Sequence, residues 1–277
     1  TALSQASHNA KIECMEILLT AGANPELSDK DGNNALMHAY LGGAFEDPET
    51  QEAMQMLLSH GALINAKDVD GTTLLMVVIK RADMPAIKFL LDRRADVNIA
   101  DEEGFTALMY AAGASDQCFN LILNEITEVD AVNKYNETAL MYAATYGQND
   151  MVLSLIWRGA DVNAQNEAKA TPLSCAVFSE EITRGDCLKT VKTLLSRGAV
   201  YTSVLTDAQA DDSGVEPEVV KLLEQAKFLD ELDALKDLLK EAGTPALKLV
   251  KFEDPEDLEF TDPSEPPEDV AHLGGGA

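Results

Sequence analysis

The sequence predicts an all-α repeat protein, a solenoid of stacked helix–turn–helix units with β-hairpin loops, a C-terminal helical cap and an acidic extended tail. Three observations carry this reading. A Thr-x-Leu core recurs as Thr1-Ala2-Leu3, Thr73-Leu74-Leu75, Thr106-Ala107-Leu108, Thr138-Ala139-Leu140 and Thr171-Pro172-Leu173, with Asn34-Ala35-Leu36 as a weaker copy. Its leucines, at 3, 36, 75, 108, 140 and 173, are spaced by 33, 39, 33, 32 and 33 residues, a period typical of units that bury their apolar faces on one another. A second landmark follows the core, as in Gly22-Ala23-Asn24, Gly61-Ala62, Ala95-Asp96-Val97-Asn98, Gly159-Ala160-Asp161-Val162-Asn163 and Gly198-Ala199-Val200. Turns of the type Asp-x-x-Gly precede it at 29–32, 68–71 and 101–104.

Each element then has a local reason. The core threonine is placed to cap a first helix, its hydroxyl meeting unpaired N–H groups in the opening turn. Met-Tyr-Ala-Ala, at 109–112 and 141–144, supplies small residues that let neighbouring helices approach. Met151, Val152, Leu155 and Ile156 show the apolar spacing of a second helix. Gly22, Gly61, Gly159 and Gly198 sit where a helix stops in a left-handed conformation, and Asp/Asn-rich turns with glycine suit a hairpin. The units divide as 1–28, 29–67, 68–100, 101–132, 133–165 and 166–202.

Three motifs kept in register from residue 1 to about 201 resemble the ankyrin repeat. The resemblance implies a non-catalytic protein–protein interaction module whose hairpin tips and exposed first-helix side form a concave binding surface. Carried onto this sequence, the tips include Glu102, Glu103, Phe105, Lys134, Tyr135 and Glu137, and the first-helix positions include Lys80, Arg81, Tyr146 and Phe178. Phe105, Tyr135 and Tyr146 come from adjacent repeats and are expected either to form one anchoring patch or to pack on neighbouring hairpins. The family histidine after Thr-Pro-Leu is assigned to His38, in a structural role, with Met76, Met109 and Met141 replacing it elsewhere.

Departures from the pattern mark what is particular to this chain. About six extra residues, 44–49, lie between the helices of the second repeat, and a similar insertion lies around 180–186; such loops carry contacts or are tolerated decoration. Thr127, Arg94 and Lys169 replace expected glycines and must accept positive φ or reshape their turns. Beyond Tyr201 the sequence reads as a degenerate first helix at 203–211, a second at 217–226 and an amphipathic helix at 228–242. Together, 203–243 form a cap or a helix offered to a partner groove. The segment 244–277 is rich in Pro and acids, with no Lys or Arg after Lys251. Phe252, Leu258 and Phe260 are its candidate anchors, set among acids that seek a basic surface.

Composition limits function. Lys and Arg total 21 against 48 acids, a net charge of −27, which repels phosphate backbones and excludes nucleic acid as a partner. It favours a protein with a basic surface, or serves solubility alone. No stretch reaches the roughly 18 apolar residues of a membrane span. Cys14, Cys118, Cys175 and Cys187 form no CxxC pair, consistent with reduced thiols inside a cell. A cytoplasmic location is expected. The start at Thr1, inside a repeat, leaves open removal of a presequence on entry to an organelle, or residues upstream. Phosphate-binding glycine loops, HExxH and GxSxG are absent, so no catalytic residue, metal ligand or cofactor is assigned. The reading is a scaffold or adaptor subunit of a hetero-complex; the alternative is a stoichiometric regulator that inhibits an enzyme or chaperones a basic client.

Overall fold

The structure is a computed structural model and describes residues 1–180, 183–210 and 213–241, excluding the side chains of Arg184 and of residues 231–241. The chain packs as two units, Thr1–Tyr135 and Asn136–Ala277. The anchors Phe252, Leu258 and Phe260, with the whole segment 244–277, lie outside the described residues.

The first unit holds four helix pairs: α1 (Ala2–His8) with α2 (Ile12–Thr20), α3 (Ala35–Gly42) with α4 (Pro48–Ser59), α5 (Leu74–Lys80) with α6 (Met84–Leu91), and α7 (Ala107–Ala112) with α8 (Asp116–Glu125). The second unit continues with α9 (Ala139–Thr145), α10 (Asn149–Trp157), α11 (Pro172–Phe178), α12 (Arg184–Ser196), α13 (Thr202–Ala208) and α14 (Pro217–Glu241).

The first helices start where the core residue caps them. The side chains of Thr1, Asn34, Thr73, Thr106, Thr138 and Thr171 each accept the N–H three residues on, as in Ser4 N to Thr1 Oγ1 at 3.0 Å and Met37 N to Asn34 Oδ1 at 3.0 Å. Each such cap contributes about 1 kcal/mol. Ala111, Ala112, Ala143 and Ala144 are fully buried, as expected of residues that admit a close neighbour. The caps also fix the register and correct the histidine assignment. Met37, not His38, is in line with Met76, Met109 and Met141, and all four are buried. His38 aligns with Val77, Tyr110 and Tyr142, one position further along the helix.

The second helices end as the glycine pattern predicts, with φ of +86°, +88°, +92° and +86° at Gly22, Gly61, Gly159 and Gly198. Arg94 and Lys169 adopt the same region at +62° and +66°, so they accept the glycine geometry. The fourth repeat reshapes instead: α8 stops at Glu125, and Ile126 is extended at φ −73°, ψ 150°.

Two expectations change. The loops close with isolated bridges, Lys67 to Thr73 and Ala100 to Thr106, and no longer strand is found among the described residues, because the tips are taken up by tight turns. The helices expected at 217–226 and 228–242 are one continuous helix, α14, with no glycine or proline inside it to break it. The insertion at 44–49 sends one residue, Phe45, into the core, while 44 and 46–49 stay exposed. Phe45 is 4% exposed and meets Phe89 edge-on at 5.0 Å between ring centres, Gln51 Nε2 donates to its carbonyl at 2.9 Å, and Pro48 begins a lengthened α4.

Candidate partner-binding surface

The turn tips are built by one device used repeatedly. Asp29 Oδ1 accepts from the N–H groups of Asp31 and Asn33, both at 2.9 Å. Asp68 does the same for Asp70 and Thr72 at 2.9 and 2.8 Å, and Asp101 for Glu103 and Phe105 at 3.0 and 2.9 Å. Asn133 holds Tyr135 N and Asn166 holds Ala170 N, each at 2.9 Å. A carboxylate or amide satisfying its own turn fixes the tip. Successive tips are then tied backbone to backbone: Val69 N to Asp31 O at 3.2 Å, Glu102 N to Asp70 O at 2.9 Å, and Lys134 N to Glu103 O at 2.9 Å.

Gly32 and Gly104 are demanded by this tie. Both have positive φ, and a Cβ would lie 2.4 Å from Val69 N in the first case and 2.8 Å from the Cα of Asn133 in the second. Asparagines that follow α4, α6 and α10 make matching ties between successive repeats. Asn65 Oδ1 accepts from Asp96 N at 2.9 Å, Asn98 Oδ1 from Thr127 N at 3.1 Å, and Asn163 Oδ1 from Val200 N at 2.8 Å.

On this rigid frame the first unit presents two linked clusters. In one, Phe105 stacks on Tyr110 with centroids 5.3 Å apart, and Lys80 Nζ lies 4.0 Å over the Tyr110 ring. Tyr110 Oη donates to Asp101 Oδ2 at 2.5 Å. In the other, Lys134 Nζ reaches Glu103 Oε1 at 3.1 Å and Tyr135 Oη reaches Glu103 Oε2 at 3.4 Å, with Tyr135 50% exposed. Exposed carboxylates at Asp31, Asp70 and Glu102 extend along the same tips. Arg81 is exposed and lies over the buried Tyr40 ring at 5.2 Å. In the second unit Glu137 accepts from Tyr142 Oη, while Tyr146 and Phe178 are 42% and 41% exposed. Phe105 and Tyr135 thus share a unit, while Tyr146 belongs to the other. Phe105 is half-buried through its stack, whereas Tyr135 and Tyr146 are exposed.

Tyr110 was not singled out from sequence, where its Met-Tyr-Ala-Ala motif signalled helix approach alone. The usable signal was spacing: nine residues separate Asp101 from Tyr110 and Asp29 from His38, whose Nε2 lies 2.8 Å from Asp29 Oδ2. These pairings alter titration. Burial, with Asp101 beside it, pushes the Tyr110 phenol up from its ordinary value. Burial opposes charge on Asp29, but the N–H groups of Asn33 and Asp31 and the His38 ring outweigh it and hold its carboxyl below the usual range. No described helix is long and apolar enough to cross a membrane. Among the described residues no group of three or more His, Cys, Asp or Glu is arranged to hold a metal ion. The surface offers anchoring rings and charged groups on a fixed backbone, which is equipment for binding.

Comparison with known proteins agrees. The profile of the family described as ankyrin repeats (3 copies) matches residues 44–132 and 113–204, more than half of the chain. Human SH3 and multiple ankyrin repeat domains protein 2 is 26% identical over 173 residues, 61% of this chain and 9% of that protein. The mouse B-cell lymphoma 3 protein homolog is 28% identical over 167 residues, 59% of this chain and 37% of that protein. This chain therefore spans well under half the length of these relatives. The crystal structure of the Bcl-3 ankyrin repeat domain superposes with a TM-score of 0.60 at 23% identity, covering 73% of this chain and 88% of that one. Ankyrin repeats are in general protein–protein interaction modules, and this chain belongs to the ankyrin-repeat family.

Proposed function

We propose that this chain is a non-catalytic scaffold or adaptor that binds another protein through the turn tips and first-helix side of its repeats, as a subunit of a hetero-complex. The observation that carries this is the pair of clusters on the first unit, Lys80–Tyr110–Phe105 and Glu103–Lys134–Tyr135, mounted on tips tied to one another through the backbone. A fixed backbone lowers the ordering cost of binding, and exposed aromatic rings desolvate with little loss of side-chain freedom. Tyr146 and Phe178 offer further anchors on the second unit. The acids along the tips and the net charge of −27 select a partner with a basic surface. The segment 251–277, with Phe252, Leu258 and Phe260, provides a second acidic contact. An exposed thiol at Cys14 suits a reducing, cytoplasmic setting.

The test is recovery of partners from native extract by the wild-type chain and by a variant combining Phe105→Ala, Tyr135→Ala and Tyr146→Ala. Recovery is expected to fall at least tenfold with helical content unchanged; equal recovery rules out this surface. Truncation before Phe252 is expected to weaken binding at low salt more than at high salt.

A further inference from the structure

The last helix, α14, departs from the rule by which other second helices end. Leu57, Leu90, Leu155 and Leu194 are fully buried, and four residues after each the chain turns through positive φ, at Gly61, Arg94, Gly159 and Gly198. Leu223 of α14 is buried in the same way, but the fourth residue on is Lys227, and the helix runs through it to Glu241. Within the second unit, this helix and the loop that follows α12 line a groove of about 600 Å³. Its floor is apolar, from Leu195, Val200, Leu222, Ala226 and Leu229. Val200 is 54% exposed and Leu229 41%. The position of Val200 is Asp96 in the third repeat and Asp161 in the fifth, so the loop itself does not require an apolar residue there. Lys192 and Arg197 also line the groove. Its one carboxylate among the described lining residues, Asp230, is engaged by Tyr201 Oη, which donates to it at 2.6 Å.

Apolar surface gathered in a concave site marks a place for another group, and charge indicates which. Residues 187–197 hold Lys189, Lys192 and Arg197 and no acid, in a chain of net charge −27. Residues 252–260 of the same chain have the opposite character: Glu253, Asp254, Glu256, Asp257 and Glu259, no Lys or Arg, and the apolar Phe252, Leu258 and Phe260. In an extended segment Leu258 and Phe260 share one side, and Asp257 and Glu259 alternate with them on the other. The connection is long enough. Glu241 lies twelve residues beyond Leu229, about 18 Å along a helix, and the seventeen residues from Glu241 to Leu258 can span up to about 56 Å. We propose that the groove holds 252–260 of its own chain, with Leu258 and Phe260 on the apolar floor and the flanking carboxylates beside Lys192 and Arg197. Attachment through so short a connection sets a local concentration of millimolar order, which an acidic segment on a separate molecule does not match. Passage of the segment to a partner's basic surface rests on the function proposed above; its seat in the groove does not.

Hydroxyl-radical footprinting of Val200 and Leu229, read by mass spectrometry on the chain of residues 1–277 without any partner, tests this. Leu258→Ala and Phe260→Ala combined are expected to raise modification of both residues at least threefold, with helical content unchanged. Lys192→Glu is expected to raise it at least twofold at low salt. An unchanged footprint in either variant would overturn the proposal and leave the turn-tip surface untouched. Protection of the wild-type groove that is lost on dilution, together with a doubled mass before dilution, assigns the groove to the segment of a second copy and overturns it as well.

Discussion

Arg94 and Lys169 hold left-handed backbone at φ +62° and +66° with exposed side chains, a conformation in which a Cβ costs roughly 1–2 kcal/mol. Glycine in the same place gives part of that back in unfolded-state entropy. Arg94→Gly and Lys169→Gly are therefore each expected to stabilise the protein by about 1 kcal/mol in urea denaturation; no gain at either site refutes the strain argument. Tyr40 behaves oppositely to an exposed phenol. It is 2% exposed, donates to Asp83 Oδ2 at 3.1 Å, and is pushed by burial, then by the Asp83 charge, from 10.0 to about 12. A folded value above the unfolded one means the contribution is complete below pH 10 and lost as pH climbs towards 12. Stability measured from pH 9 upward should fall across that window, and Tyr40→Phe should remove this part of the fall while costing about 1 kcal/mol at neutral pH. An unchanged pH profile in Tyr40→Phe would show that other groups produce the fall. At this scale the sequence was partly legible. The glycine replacements were recognisable because each broke a column; Tyr110 was missed because its partner Asp101 is found only by counting nine residues back along the chain. The His38 assignment slipped one position because Asn34, standing in for threonine, weakened the landmark from which the register is counted.

At the scale of the element, the turn is the informative unit. Gly22 and Gly32 both have positive φ, but a Cβ on Gly22 meets nothing within 4 Å, while one on Gly32 would sit 2.4 Å from the backbone nitrogen of Val69. Gly22→Ala should cost about 1 kcal/mol, the conformational penalty alone. Gly32→Ala should cost at least about 1 kcal/mol more, because the tie from Val69 N to Asp31 O must also give way. Equal losses in thermal or urea unfolding would mean the tips are not held together as described. The helix pairs were legible because caps and terminators are local signals with fixed offsets. The insertion at 44–49 was less so. Nothing in its composition announced that Phe45 turns inward, since the ring it meets, Phe89, lies in the next helix pair. For α14, the segments 217–226 and 228–242 read as two helices with Lys227 between them, yet neither glycine nor proline lies there to interrupt the helix.

At the scale of the whole molecule, the family followed from the period, since three motifs in register leave few architectures open. The binding surface was legible as columns of tip residues but not as contacts. That Phe105 would stack on its own helix while Tyr135 stands clear depends on side-chain packing, which a spacing argument does not resolve. The clusters on the first unit predict an interface whose energy is concentrated in a few residues: Tyr135→Ala should weaken binding by about 1–3 kcal/mol, and Lys30→Ala, an exposed residue of the 29–32 turn outside both clusters, by less than about 0.5 kcal/mol. The central claim is that the turn tips are where a protein partner sits. Cross-linking mass spectrometry in native extract tests it most directly, through the amines of Lys80 and Lys134. Cross-links from both lysines to one partner protein, lost when Tyr135→Ala and Phe105→Ala are combined, are the predicted result. Partner cross-links confined to lysines of the second helices, such as Lys88 and Lys192, would contradict it.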